Sequence, residues 1–327
     1  MNTRGSIPTI FRRLTDELKL THEIHGTIGG EDSVDYDFSG IDLTQVTGSK
    51  PEKLRSYLGK YLDNFDLVHT GPANHSVLSI AGRTLNRSYS IVHTIHAVDA
   101  LIAENSDHQR SIRRQLLDKY GDQTVAVSEF VAEVVRDQYG IDAAVIPNGV
   151  DLDIFSPNNR DTAEDTYLFV GRFDENKNPE LVRELAAAMP NATFKMGGLG
   201  ERNIKSTDNL EILPPMPPTS LANHYSEATA ALCPFENEGF GMVALESMAS
   251  GTPVVGLSDG NLPNLIDSGK NGVLCDELSI SEWIDAIETV SNSGYEMEQL
   301  SRESAQQYSW ENIASEYEQI YAAASGN

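Results

Sequence analysis

The chain has little lysine and little cysteine, and no apolar run in it is long enough to cross a bilayer. Only nine of its 24 basic residues are Lys, against 49 acidic residues, which leaves a formal net charge of −25 over 327 residues. A surface this acidic repels nucleic acid and offers no broad basic face to a membrane, although a local patch could still make peripheral contact. The balance is that of a halophilic protein, one that works in high salt, where screening removes much of the self-repulsion. The two cysteines, Cys233 and Cys275, are too few for a disulfide framework or a cysteine zinc site. Cys233 stands inside an apolar run and reads as a small buried hydrophobe. No segment approaches the ~20 apolar residues of a membrane span, and no signal peptide opens the chain, so a cytoplasmic protein is expected.

What the chain does have is one organised stretch, Pro234 to Gly256. An apolar run from Ala230 to Phe235 enters it and a second, Pro253 to Leu257, leaves it; both read as buried strands. Between them lie a glycine-punctuated loop and about ten residues with helical spacing, closed by Gly251. The pattern is strand, glycine loop, helix, strand: a βαβ unit of a parallel sheet. Gly239 and Gly241 let the backbone approach a ligand and expose amides at a helix start, a ready site for phosphate. Glu238 and Glu246 flank that site. Ionised carboxylates only accept hydrogen bonds, so they suit hydroxyl-rich ligands. Phosphate flanked by hydroxyls describes a sugar nucleotide.

Glu238-Gly239-Phe240-Gly241 and the glutamate eight positions on resemble the E-x7-E motif of the family 4 retaining glycosyltransferases, which have the GT-B architecture. The resemblance implies an α/β fold of two Rossmann-like domains facing across a cleft. The acceptor-binding domain would span residues 1–154 and the donor-binding domain residues 155–327, with the last helix crossing back to the first domain. Family members open with a strand before the first glycine loop, and Met1 lies only four residues before Gly5. The N-terminal domain is therefore expected to lack its first strand, either because translation starts upstream or because the domain is degraded.

The rest of the chain alternates. Helices are expected over Ser6–Leu18, where Ser6 can cap a face of Ile7, Ile10, Phe11, Leu14 and Leu18, and over 51–62, 75–85, 109–120 and 129–138. Strands are expected over 21–28, 66–70, 89–96, 124–128 and, after the polar crossing at Asn148–Asp165, over 167–170. Family resemblance places Gly5 and Ser6 at the donor phosphate and His96 at the sugar-transfer site. His93 and His96 face opposite sides of their strand, which makes them poor joint metal ligands. Arg172 and Lys177 resemble the family's diphosphate-binding pair, and an anionic donor needs such local positive charge in so acidic a chain. Gly198 belongs to a second glycine turn. Gly239, Phe240, Gly241, Met242 and Val243 would line the donor, with Glu238 on its sugar and Glu246 on its ribose. Asn261 and Asn264 depart from the family's pattern, which has Gly and Glu there.

Other motifs are weaker. Gly256-Leu257-Ser258-Asp259-Gly260 matches a hydrolase elbow, but Pro263 follows too soon for its long helix. Asp35-Tyr36-Asp37 and Asp151-Leu152-Asp153 match the D-x-D of metal-dependent transferases, as chance allows in an acidic chain. The resemblance implies transfer of a sugar from a nucleotide diphosphate sugar to a hydroxyl of a glycan or lipid-linked acceptor, with retention and with no essential metal or other cofactor. The alternatives are a non-catalytic sugar-nucleotide-binding or partner subunit, and an epimerase or phosphorylase of similar architecture.

Overall fold

The computed structural model describes residues 6–18, 25–29, 42–46, 65–71, 89–96, 121–158, 165–200 and 207–326. Gly5, the helices expected over 51–62, 75–85 and 109–120, and residues 21–24 of the strand expected over 21–28 lie outside them. The chain divides into two compact units, Val150–Ser309 and the residues up to Gly149 with Trp310 onward. The division falls five residues ahead of the boundary expected after Ile154. Hydrogen bonds tie residues 150–155 to the second unit: the Val150 N–H donates to the Tyr308 carbonyl at 2.8 Å, and the Arg302 guanidinium donates to the carbonyls of Leu152 and Phe155.

In the first unit, helix α1 (Ser6–Leu18) buries Ile10, Leu14 and Leu18, spaced four apart on one face. Ser6 is the first residue of this helix. Strands β1 (His25–Gly29) and β2 (Asp42–Val46) form a parallel pair. Strands β3 (Leu67–Thr70), β4 (Ser90–Ile95), β5 (Gln123–Ala126) and β6 (Ala144–Val145) form a parallel sheet in that order. Helix α2 (Glu129–Tyr139) follows β5; the Ser128 hydroxyl accepts from the Val131 amide and Gly140 closes it in the left-handed region. The final helix, Trp310–Ser325, buries Trp310, Ile313, Ala314 and Tyr317 against α1, β4 and β5 in one apolar cluster. A Cβ at Gly149 would lie 2.5 Å from the Trp310 ring, so only glycine lets the crossing chain pass there.

The second unit is a six-stranded parallel sheet. Its strands are β7 (Thr166–Arg172), β8 (Thr193–Leu199), β9 (Leu210–Ile212), β10 (Ala230–Cys233), β11 (Val254–Leu257) and β12 (Gly272–Cys275). Their spatial order is β12-β11-β10-β7-β8-β9. The helices are α3 (Pro179–Ala188), α4 (Pro218–Glu227), α5 (Met242–Ala249), α6 (Leu262–Leu265), α7 (Ile280–Ser293), α8 (Tyr295–Gln306) and, in the first unit, α9, the Trp310–Ser325 helix already described. The chain winds outward through β8 and β9 on one side of β7, then returns to start the other half at β10. That reversal makes β7/β10 the topological switch point, where ligands of open parallel sheets bind outside the carboxyl ends of the strands. The strands read as unbroken apolar runs because both faces are covered: Ala230–Cys233 and Val254–Leu257 are buried throughout.

Candidate functional site

The carboxyl ends of β7 and β10 carry most of the residues singled out in the sequence. β7 ends on Arg172, and the chain turns through Asp174 into a single 3-10 turn, Glu175–Lys177. Asn178 closes that turn at a φ of 47° and delivers Pro179 to the first position of α3. The turn is tied to the loop after β10. The Glu236 N–H donates to the Asn176 carbonyl at 2.9 Å, and the Asn178 side-chain amide donates to the Pro234 carbonyl at 2.9 Å. This docking places the Lys177 ammonium 2.5 Å from a Glu238 carboxylate oxygen and 4.3 Å from the centre of the Phe235 ring. Both members of the pair are largely buried, with side-chain exposures of 14% and 20%.

The second Glu238 oxygen accepts from the Gly241 N–H at 3.1 Å. Glu238 therefore folds over its own loop, and the Gly241 amide, expected to be open to a ligand, is already bound. Gly241 sits at φ 101° and caps α5 without a side chain. A Cβ there would strike Leu265 at 2.9 Å and Leu262 at 3.1 Å, so the position admits only glycine without strain. The first bond within α5 runs from the Leu245 N–H to the Gly241 carbonyl. The amides of Met242, Val243 and Ala244 precede it, at the positive end of the helix dipole. Phe240 is buried and meets Tyr308 edge to face, with ring centres 6.2 Å apart.

Glu246 lies one turn further along α5, partly buried beside the fully buried Tyr225, whose hydroxyl donates to it at 3.3 Å. Burial pushes the Glu246 carboxyl up to about 7, while the hydrogen bond from Tyr225 acts in the opposite direction. Arg172 is more exposed, and its Nε lies 3.2 Å from Asp174. Gly198 pairs with Gly171 across β7 and β8, and a Cβ on it would fall 1.6 Å from the Gly171 carbonyl oxygen. Gly198 therefore lies within strand β8 and not in the turn expected there, at a place where two backbones touch.

His96 and Ser6 belong to the other unit. His96 immediately follows β4, and burial lowers its pKa to about 4 against the raising effect of a hydrogen bond with Asn148. His93 is buried and bonds to the Thr70 hydroxyl at 3.0 Å. Among the described residues no group of three or more His, Cys, Asp or Glu is placed to hold a metal ion, and no helix is long and apolar enough to cross a membrane.

Sequence reasoning missed the clamp on this loop. The Asp259 carboxylate accepts from the Asn237 N–H at 2.6 Å, and Gly260, at φ 59°, brings its backbone against Glu238. Asn261 follows with two bonds of its own to Glu238 and Phe240. The only signal was Asp259-Gly260-Asn261 itself, a turn-forming run, and nothing local said what it would grip.

The fold is thus a doubly wound α/β sheet that gathers a glycine loop, a helix start, a lysine and two carboxylates at its switch point, the place where open parallel sheets bind ligands. Residues 151–307 match the family model "Glycosyl transferases group 1" and residues 21–154 match "Glycosyltransferase Family 4". The chain is 30% identical to a D-inositol 3-phosphate glycosyltransferase of Mycobacterium bovis, over 88% of this chain and 69% of that protein. It is 28% identical to the same enzyme of Mycolicibacterium smegmatis, over 84% and 71%. The chain belongs to this family and is a glycosyltransferase. Solved structures share its fold: sucrose-phosphate synthase of Thermosynechococcus elongatus (TM-score 0.83, 20% identity, 97% of this chain and 93% of that one) and Anabaena HepE in complex with UDP-glucose (0.84, 13%, 99% and 97%). The fold is the α/β architecture with parallel sheets in two domains that these GT-B structures have.

Proposed function

We propose that the protein transfers a sugar from a nucleoside diphosphate sugar to a hydroxyl of a glycan or lipid-linked acceptor, with retention at the anomeric carbon and without an essential metal. The observation that carries this reading is the placement of Lys177 and Glu238 in contact at the switch point, directly before the amides that open α5. One cation, free helix-start amides and an acceptor-only carboxylate within one loop match a diphosphate joined to a sugar. The UDP-glucose of HepE is a ligand of that class on the same fold.

In this reading the α5 amides, Lys177 and Arg172 hold the diphosphate and stabilise the charge that develops on it as the sugar departs. Lys177 has three donors, so it can keep Glu238 and still reach phosphate oxygens. Glu238 accepts hydroxyls of the donor sugar, and Glu246 accepts those of the ribose. Gly198 and the loop residues Gly239, Phe240, Met242 and Val243 shape the pocket wall. His96, Gly5 and Ser6 serve the transfer from the acceptor domain, and positive groups of the donor site do the work that a metal does elsewhere. The acidic surface suits a high-salt cytoplasm.

The test is to supply candidate sugar nucleotides with simple glycoside acceptors at high salt and to follow both nucleoside diphosphate release and the anomeric configuration of the product by NMR. Release with an axial donor giving an axial product supports the reading. Inversion rejects retention, and binding without release rejects transfer. Arg172→Ala should weaken nucleoside diphosphate far more than nucleoside; equal losses would remove Arg172 from the diphosphate.

A further inference from the structure

We propose that Asn261 and Asn264 are positioning residues for the transfer reaction, a two-amide relay that fixes the Glu238–Gly241 loop in its working shape. The proposal rests on the reading of that loop as the donor site. Asn261 is 3% exposed, and every polar group it brings inside is directed. Its backbone N–H donates to the Glu238 carbonyl at 2.9 Å. Its side-chain Nδ2 donates to the Phe240 carbonyl at 2.8 Å. Its Oδ1 accepts from the Asn264 Nδ2 at 3.0 Å. The carbonyls on both sides of Gly239 are therefore held by one residue from α6's cap.

The polarity of the relay matters more than its bulk. An amide can turn over, and at Asn261 either orientation would fill the same space. Only one presents N–H to the Phe240 carbonyl; the other sets oxygen against oxygen. The Phe240 carbonyl, an acceptor only, selects the first, and Asn264 supports it because its amide can present a donor to Oδ1. A carboxylate at position 264 would accept only, so it would draw the Asn261 Nδ2 away and leave the Phe240 carbonyl facing an oxygen. Buried polar networks of this kind specify one arrangement when fully satisfied and loosen when one member is reversed. The loop they fix carries Glu238, and through Glu238 it carries the Lys177 ammonium and the Gly241 amide. Reversing the relay therefore disturbs the carboxylate and cation that meet the donor without changing any group that touches it.

Asn264 is exposed, so substitutions there test the relay without emptying the core. Asn264→Asp reverses the polarity at nearly constant shape, and Asn264→Gln retains the donor. We expect Asn264→Asp to lower kcat about tenfold or more, with a much smaller change in donor KM and in melting temperature, and Asn264→Gln to retain most activity. Independently of activity, amide hydrogen exchange across residues 237–241 should quicken in Asn264→Asp and stay near wild type in Asn264→Gln. Equal exchange in all three proteins, or equal acceleration in both variants, overturns the relay. Accelerated exchange in Asn264→Asp with unchanged turnover keeps the relay as a structural clamp and overturns its role in transfer. If wild type turns over no donor while exchange follows the expected pattern, it is the donor reading that fails and not the relay.

Discussion

Two opposed demands meet in the carboxyl of Glu246. Burial beside Tyr225 raises its pKa from 4.5 to about 7. Between those values the folded chain holds a proton that the unfolded chain has released, so folding becomes less favourable as pH rises through that window. The cost is absent below about pH 4.5 and complete above about pH 7. Glu246→Gln keeps the acceptor for the Tyr225 hydroxyl and removes the charge, so it should stabilise the protein by about 1–3 kcal/mol at pH 8 and by little at pH 5. Denaturant unfolding at the two pH values checks this, and an equal effect at both would mean that the carboxylate ionises freely in the fold. On the proposed donor reading, the charge that costs stability here is the one with which Glu246 would accept the ribose hydroxyls. Its partner Tyr225 was illegible in the sequence, since it comes from α4, 21 residues earlier, and α4 itself went unread behind Pro214-Pro215 and Pro217-Pro218.

At the scale of elements, the final helix α9 docks through a chain of side chains. His69 on β3 bonds through Nδ1 to the Tyr321 hydroxyl and through Nε2 to the Thr94 hydroxyl, both at 2.7 Å, and Thr94 meets the Tyr317 hydroxyl at 3.1 Å. Burial first, then His96 and His93, lower the His69 pKa from 6.5 to about 3. The unfolded chain binds that proton near pH 6.5 and the folded chain does not, so the stability this histidine protects is present above about pH 6.5 and is lost as pH falls toward 3. His69→Gln should therefore flatten the fall in melting temperature between pH 7 and pH 5 while lowering it modestly at pH 7. Parallel curves for the two proteins would assign the acid sensitivity elsewhere. Elements such as β10, α5, β11, α2 and α9 were legible because their apolar positions follow a burial period or form runs long enough to fill a covered strand. β2, Asp42-Leu43-Thr44-Gln45-Val46, was not, because only its pairing with β1 makes a strand of a polar segment. The four-residue α6 was not, because its order comes from the grip of Asn261 and Asn264 and not from periodicity.

Over the whole molecule, 49 acidic residues against 24 basic ones impose self-repulsion that salt can relieve. Raising KCl from about 0.1 M to 1 M shortens the screening length from ~10 Å to ~3 Å. The melting temperature should rise steeply over that range and continue upward; a flat or falling curve would mean that the charge is balanced locally and that the acidic composition is no adaptation to salt. The Lys177–Glu238 pair is largely buried, so salt should screen it less than it screens surface pairs. The central claim is that this loop holds a nucleoside diphosphate sugar, with Glu246 on the ribose and Glu238 on the sugar. Calorimetric titration of nucleoside diphosphate into Glu246→Gln and Glu238→Gln, beside transfer assays of both, tests it most directly. The account predicts that Glu246→Gln binds nucleoside diphosphate at least about tenfold more weakly, a loss of ~1.4 kcal/mol. Glu238→Gln, which leaves the Lys177 charge free for phosphate, should bind it as tightly as wild type or more so, yet transfer sugar far more slowly; equal losses of nucleoside diphosphate affinity in the two variants would contradict the account.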